Sequence, residues 1–163
     1  MDMLKHPGMA DMPELLEKLD ALRKEGKKIV FTNGCYDILH PGHVDLLERC
    51  KAQGDVLVLG LNSDESVKRQ GKGDDRPVNP YPVRAFVLAH LESVDFDEDT
   101  PAKLIEAVQP DVLVKGGDWS VDRIVGRETV QRRGGEVISL PLLQGYSTTA
   151  LIEKIRRTAP GSR

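Results

Sequence analysis

Residues 30–43 read VFTNGCYDILHPGH, and this stretch decides how the rest of the chain is read. An apolar run stops at Asn33-Gly34. Two of the chain's four histidines then bracket Pro41-Gly42. Ile29, Val30 and Phe31 read as a buried strand. Proline is favoured at the first helical position, so His40 falls at a helix cap and His43 in the first turn. Val44, Leu47 and Cys50 then share one helical face, with Asp45, Glu48, Arg49 and Lys51 opposite, and Gly54 closes the run. Residues three apart lie on the same side of a helix. Both imidazoles can therefore address one anion at the positive end of the helix dipole, with Gly42 leaving room for it.

The same strand–turn–helix unit recurs outward from this segment. Upstream, Leu15, Leu16, Leu19 and Leu22 have helical spacing, Pro13 suits the first turn and Gly26 ends the run. Downstream, DVLVLGLN at 55–62 is apolar on both parities, as a strand buried on both faces must be. A short helix capped by Ser63 follows, then the loop GKGDDRPVNPYP at 71–82 and a helix over 83–93. The pattern continues with a short strand at 94–96 and a helix capped by Thr100 with Pro101 at its first position. Next come a strand over 111–119, a helix over 128–135, a strand over 136–141 and a closing helix over 147–157. The class is α/β, with a mainly parallel sheet and helices on both faces. Residues 12–158 form one domain, between tails at 1–11 and 159–163.

In such sheets ligands bind beyond the carboxyl ends of the strands. Those ends carry Thr32-Asn33-Gly34, Asn62-Ser63-Asp64, Lys115-Gly116-Gly117-Asp118 and Gln144-Gly145-Tyr146-Ser147-Thr148-Thr149. Glycines, hydroxyls, small amides and a lysine suit a phosphate-bearing ligand, which needs close backbone approach and exposed N–H groups. A transferring phosphoryl group needs positioning and charge stabilisation, and no protein nucleophile.

Composition narrows the partners. Charged residues make up 30% of the chain and the net charge is −3, which gives no global basic surface for nucleic acid. Aromatics are only 4%, too few for a base-stacking platform. No apolar run approaches the roughly 20 residues of a membrane helix. Cys35 and Cys50 form neither a CxxC pair nor a zinc framework, which fits a reducing, cytoplasmic setting. A metal held by the two histidines would need more ligands than the local sequence supplies, so the expectation is no protein-held metal.

HPGH matches the HxGH signature of the Rossmann-like nucleotidyltransferases. More closely, NGCYDILHPGHVDLLERCKAQGD, LNSDESVKR, RPVNP, RAFVLAHLESVD, DEDTP, PDVLVKGGDW, GGEV and GYSTTALIEKI resemble the D-glycero-β-D-manno-heptose 1-phosphate adenylyltransferases, in order from Lys28 to Arg157. The resemblance implies transfer of the adenylyl group of ATP to heptose 1-phosphate. The products would be ADP-heptose and pyrophosphate, for the lipopolysaccharide core. It also implies Mg²⁺ bridging phosphate oxygens, a homodimer and, with no kinase domain in the sequence, the stand-alone form.

By the same resemblance His40 and His43 stabilise the α-phosphate, and Lys72 grips the departing pyrophosphate. Thr32, Asn33, Gly34 and Cys35 lie against the nucleotide, and Arg84 meets the triphosphate. Lys115, Gly116, Gly117, Asp118, Gly145, Ser147, Thr148 and Thr149 form the adenosine side. Asp37 orients the sugar or helps hold Mg²⁺. Apart from the resemblance, Asn62, Asp64 and Arg76 are expected to bind substrate, with Arg76 reading equally as a substrate clamp or a loop charge.

Three departures stand out. VDFDEDT is shorter than the family pattern. Gly71 reads as an insertion before Lys72. Val83 replaces an acidic residue ahead of Arg84. The rival in the same superfamily is a glycerol 3-phosphate cytidylyltransferase, which carries an arginine where PLLQGYSTT has Leu142. The rival of another class is a nucleotide-binding module without turnover, which would tolerate loss of either histidine.

Overall fold

The computed structural model of the chain describes residues 11–71, 73–91, 102–117 and 119–159. Among them the order is α1 (Met12–Lys24), β1 (Ile29–Gly34), α2 (Pro41–Lys51), β2 (Val56–Leu61), α3 (Asp64–Arg69), α4 (Tyr81–Ala89), α5 (Ala102–Val108), β3 (Val112–Gly116), a 3₁₀ turn (Val121–Arg123), α6 (Arg127–Gln131), β4 (Glu136–Leu140) and α7 (Thr148–Thr158). The four strands form one parallel sheet in the order β2-β1-β3-β4.

Alternation along the strands feeds two cores. Ile29, Phe31, Val58 and Leu113 point to one face, where Leu15 and Leu19 of α1, Leu104, Ile105 and Val108 of α5 and Val130 of α6 cover them. Val30, Leu57, Leu59, Leu61, Val112 and Val114 point to the other face, beneath Leu46, Leu47 and Cys50 of α2 and Ala85 and Leu88 of α4. Both faces are thus covered, as the two-sided apolar strands require.

The local signals act as expected at several ends. Ser63 accepts from the Ser66 N–H, and Ser147 accepts from the Ala150 N–H. His40 is the N-cap of α2, with Pro41 next. Elsewhere the boundaries differ. α4 starts at Tyr81, because Pro82 is tolerated in a first turn. The helix expected over 128–135 stops at Gln131, behind a 3₁₀ turn that the sequence pattern did not signal. Asp11, placed in the leading tail, caps α1 by accepting from the Glu14 N–H. The expected strand at 94–96, the cap at Thr100-Pro101, Lys72 and Asp118 lie outside the described residues.

Two features position the site. β1 pairs with β2 along its whole length, from Ile29–Val56 to Gly34–Leu61. It pairs with β3 only through Val30–Val112 and Phe31–Leu113, so the two strands part toward their carboxyl ends. The second feature is Arg84, whose side chain is fully buried. Its Nε donates to the Asn79 carbonyl (3.0 Å) and Nη1 to that of Cys35 (2.6 Å). Nη2 donates to the Asn62 carbonyl (2.9 Å) and to Asp64 Oδ1 (2.7 Å). One guanidinium thus ties α4 to the loops that leave β1 and β2.

This placement corrects the expected contact of Arg84 with the triphosphate: its donors are spent inside the fold. Arg84→Met would strand three carbonyls and a carboxylate. The expected loss is about 3 kcal/mol of stability, read as a lower urea midpoint. An unchanged midpoint would remove Arg84 from this structural role.

Candidate active site

A cleft of about 550 Å³ opens where β1 and β3 diverge. Its floor carries Asn33 and Gly34 from β1 and Lys115 and Gly116 from β3. This is the switch point of the sheet, since the chain leaves β1 for β2 on one side and reaches β3 on the other. The start of α2 supplies His40, Gly42 and His43, and the start of α7 supplies Ser147, Thr148 and Thr149. Thr148 Oγ1 donates to the Ile38 carbonyl, which pins α7 against the loop leading into His40.

The two imidazoles stack, with centroids 3.8 Å apart and planes 18° from parallel. Tyr36 abuts His43 at 5.1 Å, and Tyr146 lies roughly parallel to His40 at 6.3 Å. Four rings thus run in a row across the mouth of α2. A Cβ on residue 42 would sit 3.1 Å from His40 Nδ1 and 3.3 Å from Tyr146 Cβ, so glycine lets the histidine ring fold over the helix start. Burial pushes the pKa of His40 below its ordinary value, opposed by a weaker contact with its own backbone. His40 Nδ1 is buried without a hydrogen bond of ordinary geometry. An anion arriving at this helix start would favour protonation of the ring against the pull of burial.

The other expected residues divide into those that reach the cleft and those that do not. Cys35, Asn62 and Arg76 line it, and the Cys35 thiol donates to Gln70 Oε1 at 3.2 Å. Asp37 borders the cleft, but its carboxylate is turned inward. Oδ2 accepts from Arg76 Nε (2.6 Å) and the Val78 N–H (2.9 Å), and Oδ1 accepts from the Asn79 N–H (2.9 Å). Burial alone would raise its pKa. The two backbone donors, the arginine hydrogen bond and the arginine charge outweigh burial and hold it below the usual carboxylate value. These commitments replace the expected direct contact of Asp37 with sugar or Mg²⁺.

Thr32 is buried beside the Tyr36 phenol and the Cys50 thiol, away from the cleft. Burial pushes the Cys50 thiol up to about 11. Asp64 is held by Arg84, and Gly117 donates its N–H to the Leu140 carbonyl. Neither Asp64, Gly117 nor Gly145 lines the cleft.

Sequence reasoning passed over Tyr36, Gln70, Leu46 and Leu143, all of which line the cleft, while Trp119, Leu142 and Tyr146 join them. Tyr146 belongs to the 144–149 segment that the sequence already placed at the ligand-binding edge. The Lys115 ammonium lies 5.9 Å from the Trp119 ring centroid, a cation over an aromatic face.

Because the pKa of Asp37 is depressed in the fold, its stabilisation is complete above the unfolded carboxylate value and is lost as pH falls through the folded one. The stability advantage of the parent over Asp37→Asn should therefore be constant near neutrality and shrink below about pH 4. Urea unfolding across that range measures it, and a gap that does not change with pH would contradict the ion pair.

Comparison with known proteins agrees with this geometry. Residues 31–154 match the family described as cytidylyltransferase-like. The chain is 54% identical over 145 residues to the bifunctional protein HldE of Nitrobacter hamburgensis, covering 86% of this chain and 29% of that protein. It is 52% identical over 153 residues to the bifunctional protein HldE of Ectopseudomonas mendocina, covering 91% of this chain and 32% of that protein. The chain therefore spans about a third of the length of these curated relatives.

Among solved structures, the lipopolysaccharide core biosynthesis protein from Thermoplasma volcanium superimposes with a TM-score of 0.60 at 25% identity, over 75% of this chain and all of that one. Pantoate-beta-alanine ligase from Francisella tularensis shares the fold, with a TM-score of 0.62 at 15% identity over 89% of this chain and 72% of that one. A family match that covers well over half of the chain, on a fold whose paired histidines close a switch-point cleft, means that the chain belongs to the cytidylyltransferase-like family.

Proposed function

We propose that this chain transfers the adenylyl group of ATP to D-glycero-β-D-manno-heptose 1-phosphate, releasing pyrophosphate and forming ADP-heptose. The observation that carries the reading is the stacked His40–His43 pair at the positive end of α2, inside the switch-point cleft. The heptose is supported by the motif resemblance from Lys28 to Arg157 and by the likeness to a lipopolysaccharide core biosynthesis protein. Leu142 gives the cleft an apolar wall where the cytidylyltransferase rival has an arginine.

In this reading a phosphate oxygen of the sugar attacks the α-phosphorus of ATP. The bond to the β-phosphate breaks, and pyrophosphate leaves with the electron pair. Negative charge builds on the equatorial oxygens in flight. His40 and His43 hydrogen-bond to those oxygens at the positive end of α2. Gly34, Asn33 and Cys35 let the nucleotide lie close to the end of β1, while Lys115, Gly116 and the Ser147–Thr149 start of α7 flank the adenosine.

Mg²⁺ would accompany ATP and would supply neutralising charge to its phosphates. Asp37 is committed to its own loop, and among the described residues no cluster of three or more His, Cys, Asp or Glu could hold a metal ion. We assign the reaction to the cytoplasm, where ATP is supplied. We also propose a homodimer, which sedimentation would test. Among the described residues no helix is long and apolar enough to cross a membrane.

The test is pyrophosphate release with Mg²⁺, crossing ATP and CTP with heptose 1-phosphate and glycerol 3-phosphate. Release from ATP and the heptose alone is expected. Release that needs CTP or glycerol 3-phosphate overturns the substrate assignment, and silence in every combination overturns the activity.

Donors aimed at transition-state charge act on rate, so His43→Ala should cut turnover by at least about 10²-fold and leave ATP affinity within about tenfold. Equal turnover in variant and parent would remove His43 from the chemistry. Lys72→Ala should slow the catalysed step more than it weakens adenosine binding, and an unchanged rate would return Lys72 to a solvated loop.

A further inference from the structure

Arg76 stands in the loop between α3 and α4, and only 5% of its surface is exposed. Its Nε donates to Asp37 Oδ2. Asp37 is closed in turn by the N–H groups of Val78 and Asn79, and the Asn79 side chain donates to the Asp37 carbonyl at 2.8 Å. Asp37 and the turn 76–79 are therefore one rigid unit. A guanidinium carries five N–H donors in a planar fork. The two amino groups of Arg76 have no hydrogen-bond partner among the described residues, and the side chain lines the same cleft as His40 and His43.

Arg76 is largely buried but lines the cleft, so its amino groups are open to whatever enters there. The carboxylate at Nε fixes the plane of the guanidinium and leaves its two amino groups uncommitted. Such a fork matches two oxygens of a phosphate better than a neutral hydroxyl.

We propose that Arg76 is a two-pronged seat for a phosphate dianion in this cleft, with Asp37 as its positioning residue. The inference rests on the reading of the cleft as a phosphoryl-transfer site. It makes the phosphate, rather than the sugar ring, the group this loop recognises. The occupant is either the phosphate of the acceptor or the departing pyrophosphate.

Trp119 is the only tryptophan in the chain and lines the same cleft, so its fluorescence can report binding without turnover. The parent, Arg76→Gln and Arg76→Lys are titrated with heptose 1-phosphate, with inorganic pyrophosphate and with the unphosphorylated heptose. Loss of a charged fork should weaken one of the two phosphate ligands by about tenfold or more in Arg76→Gln and leave the other within about threefold. The ligand that moves names the occupant. The unphosphorylated sugar should bind both proteins equally weakly.

Arg76→Lys keeps the charge without the fork and should recover only part of the loss. Asp37→Asn should raise KM for the affected ligand, or the product-inhibition constant of pyrophosphate, more than it lowers kcat. Superimposable titrations of parent and Arg76→Gln overturn the seat. So do full recovery in Arg76→Lys and the absence of saturable phosphate binding to the parent. The two readings fail separately. A parent that binds phosphate through Arg76 but releases no pyrophosphate from ATP and heptose 1-phosphate overturns the activity alone. A parent with full activity and an indifferent Arg76 overturns the seat alone.

Discussion

The parting of β1 from β3 is the constraint on which the site depends. Two residue pairs hold the strands together near their amino ends, and beyond Phe31 and Leu113 they separate. Parallel strands need crossover connections, and those on either side of β1 run in opposite directions across the sheet. No helix can then cover the gap at their carboxyl ends. Asn33, Gly34, Lys115 and Gly116 are left facing a cleft, and α2 begins at its edge.

The loops around this opening are held by buried polar groups rather than by apolar packing alone. Arg84 ties the exits of β1 and β2 to α4, and Asp37 binds the 76–79 turn to the segment that precedes His40. Both are arginine–carboxylate contacts, the Asp37–Arg76 one buried on both sides and the Arg84–Asp64 one buried on the arginine's side. Such pairs add little net stability over a well-packed apolar substitute, yet removing one partner leaves a costly orphan. Their value here is geometric. Donors fixed before the substrate arrives need no reorganisation as charge develops.

Much of the fold was legible because its signals are local. Two-sided apolar runs marked β2 and β3, Pro41 marked the start of α2, and Ser63 and Ser147 marked caps. The histidine pair was legible for the same reason, since helical spacing alone puts both rings on one face. Arg84 and Asp37 were misread because residue type suggests a ligand, while their partners lie far away in sequence. Nothing near Asp37 announces that residues 76–79 will close around it. The row of rings was equally hidden. It depends on Tyr36 adopting φ +45°, uncommon for a tyrosine, and on Tyr146 reaching back from the start of α7. The helix boundary at Gln131 was missed because a 3₁₀ turn carries no periodic signature.

The seam between Thr148 and Ile38 has a consequence for the order in which the protein matures. A ribosome that has released residues up to β3 has already supplied both histidines, the floor of the cleft and the arginines that brace its loops. Tyr146, Ser147 and Thr148 are still to come, and without them one wall of the cleft is missing. The half-made chain would present a shallow, open groove. Late closure by α7 therefore ties the finished shape of the cleft to residues that follow β4.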